Sequence, residues 1–383
     1  MLDVSDVSDV SRLARLFCLA RLFRLSRFIG FRSGSGVSRL NYEPVKPGPF
    51  LKNAHVMTIA AALWPRKNPG AVLAKFTTRH FDVAPGTQLL AECLIEPSIP
   101  QRPTLVIIHG LEGSSRSPDI LNLAVKAAAT RMNVVCLNLR CCGDTMHLSP
   151  TLYNGGMSND VLMVVKELKE HDELQNIFLV GYSLGGNIIL KLAGELGIAG
   201  CDYLSGICAI SPAIDLEACV QLMEKGLNRF YEQRFLLGLK QKIRQKNKLS
   251  PDRYPLTHLA RVRTIRAFDA AYTAPDAGYS SAEDYYSKAS SISLLDQISV
   301  PTLMIVAKDD PMVPFSIFSS GKLDNPSIKM MVTDFGGHGG FLSIEPSNGD
   351  KDIFWAENRA IQFCAEIDKT RREAKVIPPT VPS

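Results

Sequence analysis

No Cys-x-x-Cys pair occurs in this sequence, and its nine cysteines are odd in number. That argues against a disulfide framework and a thiolate zinc site, and it points to a reducing compartment, here expected to be the cytoplasm. None of the seven histidines opens a His-Glu-x-x-His motif, and none has an aspartate five positions on. A zinc-protease helix and a His-x4-Asp acyltransferase motif are therefore both missing. No run of 18 uncharged apolar residues suggests a membrane span. Charged residues make up only 21% of the chain against 46% hydrophobic ones, which is enough to bury a sizeable core. The net charge of +5 is also unevenly placed: residues 1–40 hold seven arginines and three aspartates, leaving the remainder nearly neutral. A nucleic-acid partner would need a basic folded surface, so none is expected.

The chain is long enough for two average domains, but one large α/β unit is favoured. Residues 1–40 form a low-complexity Arg-rich arm. Arginines at 12, 15, 21, 24 and 27 keep a period of three, which drifts by about 60 degrees per step on a helix, so no clean amphipathic face forms. A disordered extension is the expectation, with a membrane-surface arm and a transit-type signal as alternatives. Residues 41–370 read as one domain and 371–383 as a tail. Strand candidates are 89–95, 104–109, 134–139, 177–180, 206–211, 302–307 and 329–334. They alternate with helix candidates near 119–131, 158–168, 186–196 and 352–369, a pattern that predicts a mostly parallel sheet covered on both faces. Some eighty residues, about 212–291, break that rhythm and are expected to be an inserted helical cap. Lys240, Lys242, Arg244, Lys246 and Lys248 alternate within it and read as a solvated charged face.

Gly181-Tyr182-Ser183-Leu184-Gly185 lies between an apolar run and a helix-like stretch. Gly-x-Ser-x-Gly between strand and helix is the pattern of a nucleophile elbow, in which the serine hydroxyl stands exposed on a strained turn. A serine hydroxyl needs a base, and the base needs a carboxylate to orient it. His338, inside Gly336-Gly337-His338-Gly339-Gly340 after the last strand candidate, is the best base. The carboxylate should come from a strand end between Ser183 and His338, and Asp309-Asp310-Pro311 supplies it. Adjacent side chains point different ways, so only one aspartate reaches the imidazole. Asp310 is preferred, with Asp309 kept as the alternative that caps backbone amides. The oxyanion formed on the substrate requires two backbone donors, assigned to Leu111, in the turn His109-Gly110-Leu111-Glu112-Gly113, and to Leu184.

With these residues the chain resembles the YheT-like branch of the α/β-hydrolase superfamily, from near Phe50-Leu51-Lys52-Asn53-Ala54-His55-Val56-Met57-Thr58 to about residue 365. The resemblance also rests on His109 to Ser115, Tyr153-Asn154-Gly155-Gly156 with Asp160, and Gly337-His338-Gly339-Gly340-Phe341. It implies an α/β-hydrolase fold and a triad of Ser183, Asp310 and His338. A carboxylic-ester hydrolase follows, acting through an acyl-enzyme on short- to medium-chain or lipid esters, without metal or cofactor. A membrane-surface monoacylglycerol lipase or phospholipase, peripheral to a membrane, is the runner-up, and a non-catalytic binding protein of the same fold is the rival from another class. The oligomeric state is left open. The family's Arg-Gly turn reads Arg140-Cys141 here, and His55, at a family position, is taken as structural.

Overall fold

The computed structural model describes residues 42–66, 70–319 and 323–376. The Arg-rich arm and residues 377–383 lie outside them. In chain order the principal elements are α1 (Ala54–Leu63), β1 (Thr77–Ala84), β2 (Thr87–Leu94), β3 (Thr104–Ile108), α2 (Pro118–Ala129) and β4 (Asn133–Leu137). Then come α3 (Ser158–Glu170), β5 (Ile177–Tyr182), α4 (Leu184–Leu196), β6 (Gly206–Ile210), α5 (Leu216–Met223), α6 (Arg229–Leu249) and α7 (Ala282–Ala289). The chain finishes with β7 (Thr302–Ala307), β8 (Ile328–Thr333) and α8 (Trp355–Val376).

The strands form one eight-stranded sheet in the order β1-β2-β4-β3-β5-β6-β7-β8. β3 to β8 run parallel, and the hairpin β1-β2 joins antiparallel to β4. Each central strand is apolar on both faces, because side chains alternate and both faces are covered. Leu105 and Ile107 of β3 thus enter the layer under α2 and α8, with Ile120, Leu123, Trp355 and Phe363. Val106 and Ile108 enter the opposite layer under α3 and α4, with Val161, Val164, Ile188 and Ile189. The stretch Leu184–Tyr203 is long and apolar enough to span a bilayer, but it packs into this second layer against β5 and β6 and is largely buried there.

Two elements escaped the sequence reading. β1 carries Arg79, His80 and Asp82, too polar for a central strand, but it is an edge strand that buries only Phe81 and Val83. α1 follows Asn53, whose Oδ1 accepts from the amides of His55 and Val56, an N-cap hidden in a short apolar segment. At the other end, α8 continues to Val376, so the start of the expected tail is helical. Arg372 bonds Asp368 one turn back at 2.7 Å, a spacing that supports a helix end.

Between Ser211 and Ser291 lie α5, α6, α7 and short turns, with one π-helical turn at Asp269–Thr273. The basic alternation in α6 is not a uniformly solvated face, which corrects that expectation. Residues four apart share a helix face, so Lys242 and Lys246 both turn inward while Arg244 and Lys248 stay exposed. Lys246 Nζ donates to the carbonyls of Met146 and Ser149, fastening α6 to the body.

Candidate active site

β5 runs straight into α4 through Ser183, which adopts φ 51° and ψ −114°, a conformation sparsely populated for any residue with a Cβ. The neighbouring glycines make that turn possible. A Cβ on Gly181 would lie 2.4 Å from the Gly185 oxygen, and one on Gly185 would lie 2.5 Å from the Ile108 oxygen. The Ser183 amide donates to Ile210 at 2.9 Å, and its carbonyl accepts from Asn187, so strain is held by hydrogen bonds on both sides. Its hydroxyl stands at the carboxyl edge of the sheet, half-buried.

His338 follows β8 in the glycine loop, and Asp310 follows β7. The imidazole Nδ1 lies 2.9 Å from Asp310 Oδ2 and 3.1 Å from Oδ1. A carboxylate there accepts, so Nδ1 carries the proton and Nε2 keeps its lone pair. Asp310 Oδ1 also accepts from the amides of Met312 and Val313, which fixes the carboxylate. Asp309 turns the other way: its Oδ1 accepts from the amides of Gly336 and Gly337, both at 2.9 Å. Burial pushes the Asp309 carboxyl up from its usual range, opposed by those amides. Ser183 and His338 border the same cavity, but no hydrogen bond joins them in this structure. Triad hydrogen bonds commonly stay loose until substrate is bound.

Leu111 and Leu184, the two residues expected to supply oxyanion donors, line the same cavity as Ser183. Leu184 is the first residue of α4, where an amide has no partner inside the helix. Leu111 belongs to a turn closed by the Gly113 amide on the Gly110 oxygen at 3.1 Å, and its own amide donates to no acceptor among the described residues. A Cβ on Gly110 would lie 3.1 Å from Ser183 Cβ, so this turn is packed against the elbow.

Several supporting residues went unassigned in the sequence. His338's amide donates to Thr58 Oγ1 at 2.9 Å, and Gly339's donates to Ser211 Oγ at 3.0 Å. With Asp309, side chains from three separate elements thus take four consecutive amides of the histidine loop. Thr58 closes the Asn53–Thr58 segment, but only the fold shows what it touches. His109 is buried and sits behind the Leu111 turn, its Nδ1 on the Gly110 carbonyl at 2.7 Å and its Nε2 accepting from Leu139. Burial pushes its pKa down to about 4 despite the Gly110 carbonyl. The buried Asn187 amide bonds Gly155, Ala289 and Ser291, tying the elbow helix to the cap exit. His55 stacks on Tyr231 of α6 and lies 3.0 Å from its hydroxyl. Cys141 has φ 59°, a conformation that suits the glycine of the related turn, and its side chain packs into the cap core with Leu236 and Leu239.

From Ser183 an apolar cavity of about 850 Å³, counted to its open mouth, runs beneath the cap between Leu216, Met223, Phe235, Phe268 and Met312. Its mostly apolar lining suits a small organic substrate. One carboxyl interrupts its wall: Asp269, which accepts from Tyr286 at 2.7 Å and whose pKa burial raises to about 6. On its other side Ser183 faces a wider mouth between α1, the start of α2 and α6.

Residues 103–343 match the family model for the alpha/beta hydrolase fold. YheT of Escherichia coli (strain K12), provisionally named an esterase, is 34% identical over 244 residues, covering 63% of this chain and 71% of YheT. The monoacylglycerol lipase of Saccharomyces cerevisiae is 31% identical over 253 residues, 63% of this chain and 55% of the lipase. Among solved structures, the Pyrococcus furiosus esterase Pf2001 superposes with a TM-score of 0.50 at 14% identity, over 79% of this chain and 96% of that one, a likeness of fold. The family model matches well over half the chain, and YheT is more than 30% identical over more than two thirds of its own length, so the protein belongs to the α/β-hydrolase fold family, in the branch that includes YheT.

Proposed function

We propose that this carboxylic-ester hydrolase works through an acyl-enzyme on Ser183. His338 Nε2 removes the Ser183 proton as Oγ attacks the ester carbonyl, and Asp310 holds the ring and the positive charge it gains. The amides of Leu111 and Leu184 receive the negative oxygen of the tetrahedral intermediate. His338 then protonates the departing alkoxide, and a water activated by the same imidazole releases the acid. The observation that carries this reading is the Asp310–His338 contact at 2.9 Å beside the left-handed Ser183 turn, both opening on one apolar cavity. The cavity's apolar walls favour short- to medium-chain acyl groups. Replacing Ser183 by Ala is expected to lower kcat by about a million-fold. A fluorophosphonate should label Ser183; a wild-type-like rate in Ser183→Ala, or no labelling of the wild type, would remove the assignment and favour a binding protein.

A lipid surface is the second reading, and one observation favours it. Ile59 and Leu63 on α1 and Phe230 and Leu237 on α6 are exposed, Leu63 and Leu237 by 77% and 69%, and these last two line the wider mouth. Apolar side chains around the entrance of an apolar cavity suit glyceride or phospholipid substrates held in a bilayer. The similarity to the yeast monoacylglycerol lipase supports the same substrate class. Co-sedimentation with anionic vesicles, with and without residues 1–40, tests it: if neither form sediments, the substrate is drawn from solution.

A further inference from the structure

Glu112 follows the proposed oxyanion donor Leu111 and has φ 58°, in the left-handed region that favours glycine. A non-glycine residue there costs roughly 1–2 kcal/mol, so its side chain must be held by contacts that compensate. The contacts are all with groups beyond its own turn. Tyr153 grips it twice: the phenol oxygen accepts from the Glu112 amide at 2.9 Å and donates to Glu112 Oε1 at 2.8 Å. Lys242 of α6 places its Nζ 3.2 Å from Oε1 and 3.4 Å from Oε2, and it also sits over the Tyr153 ring. Both charged side chains are only 15% exposed, so neither charge can easily be left alone. α6 approaches the carboxylate so closely that a Cβ on Gly238 would lie 2.2 Å from Glu112 Oε2. Burial pulls the Lys242 ammonium toward its neutral form, yet the charges around it, Glu112 among them, raise its pKa on balance.

The geometry points to Glu112 and Lys242 as a positioning pair that couples the seating of cap helix α6 to the orientation of the Leu111 amide, completing the oxyanion site only when the cap rests on the body. With the Glu112 amide committed to Tyr153, the turn presents the Leu111 amide to the reacting oxygen, and the carboxylate that fixes this turn is itself fixed by the cap. Lys242 and Lys246 are one turn apart on α6: one holds the turn after β3, the other the loop before Pro150. Substrate entering beneath the cap and the donor that stabilises its transition state thereby depend on the same helix, α6.

This inference rests on the serine-hydrolase reading, so the test runs on the full chain with Ser183→Ala beside it. Lys242→Met, Glu112→Gln and Gly238→Ala are compared with wild type on p-nitrophenyl butyrate. Binding of an aryl trifluoromethyl ketone, whose adduct with the serine places an oxyanion in the donor site, is measured in parallel. Each variant should lose about 10- to 100-fold in kcat with KM within about threefold, less than outright deletion of a donor. Ketone affinity should fall in step, and the double variant Lys242→Met/Glu112→Gln should be no worse than the poorer single, because both singles break one unit. Lys242→Arg should recover most of the rate. If Lys242→Met fails to fold, Glu112→Gln, which keeps the side chain's shape, carries the test. Unchanged kcat and ketone affinity in folded variants would overturn the coupling, as would a loss confined to KM, which would make Lys242 a substrate contact. If Ser183→Ala retained turnover, the underlying reading would fall instead.

Discussion

Two adjacent aspartates, Asp309 and Asp310, give the sharpest test of the site, because the same substitution should have opposite consequences one residue apart. In Asp310→Asn the side-chain oxygen can go on accepting from the Met312 and Val313 amides, which leaves the NH2 group facing His338 Nδ1. Two donors cannot share that contact, so Nδ1 must lose its proton and Nε2 must carry one. The imidazole is then in the wrong tautomer to accept the Ser183 proton, a fault worth about 10⁴ in kcat in serine triads, or about 5.4 kcal/mol of barrier. In Asp309→Asn the oxygen can keep the Gly336 and Gly337 amides, while Oδ2, buried and with no hydrogen-bond partner among the described residues, is the atom replaced. Removing a carboxylate charge that burial already disfavours should leave kcat within about threefold and move Tm by less than about 4 °C. Initial rates on p-nitrophenyl butyrate at pH 7.5, with Tm as the control for folding, decide it. An Asp310→Asn enzyme retaining a tenth of wild-type kcat, or a collapse in folded Asp309→Asn, would refute the orientation argument.

Thr58→Val removes the oxygen on which the His338 amide rests, and it should lower kcat about 10- to 100-fold through a displaced imidazole while KM holds; an unchanged kcat would show that the loop is set by its other three amides. Gly185→Ala drives a methyl to 2.5 Å from one backbone oxygen and 2.6 Å from the next, and with nowhere to yield it should destabilise by at least about 3 kcal/mol, seen in urea denaturation. His109, whose pKa burial lowers to about 4 from an unfolded value near 6.5, makes stability depend on pH. The unfolded chain binds the extra proton between those values, so stability is full above about 6.5 and falls by about 3 kcal/mol as pH drops through 4. Urea midpoints across that range should show the loss, and His109→Gln should flatten it.

The parts of the site that were legible in the sequence are those where geometry admits one residue type. Gly181 and Gly185 have backbone atoms where a Cβ would be, and Ser183 sits on a turn that only such neighbours permit, so the motif shows through any background. The parallel strands were legible for a related reason: with both faces covered, they become continuous apolar runs with sharp ends. Thr58, Ser211 and Asn187 were not legible, because a threonine, serine or asparagine is ordinary in any helix or loop. Each acquires its role from contacts far away in sequence, among them one more than a hundred residues distant. β1 was missed because an edge strand alternates polar residues outward, and α6's lysines were misread because alternation in sequence is not alternation around a helix.

The same distinction explains why reaction type and substrate are written in such different ways. Acyl transfer needs an elbow, a ring, a carboxylate and two amides at fixed places, and each place constrains a residue or a backbone conformation. The acyl site needs only a volume and apolar walls, which Leu216 and Met223 of α5, Phe235 of α6 and Phe268 beyond it provide, and many other side chains would fill the same role. Where the cap does constrain identity, it does so at its junction with the body: Gly238 because Glu112 stands against it, and Lys242 and Lys246 because carboxylate and carbonyl oxygens await their ammonium groups. Substitutions in the cavity wall should therefore redistribute preference along a series of esters from acetate to palmitate while sparing the best kcat. Substitutions at the junction should lower kcat for every ester in the series alike. Lys242 also borders the cavity, so a Lys242 variant that merely shifts the preferred chain length would make it a wall residue in function and dissolve the division.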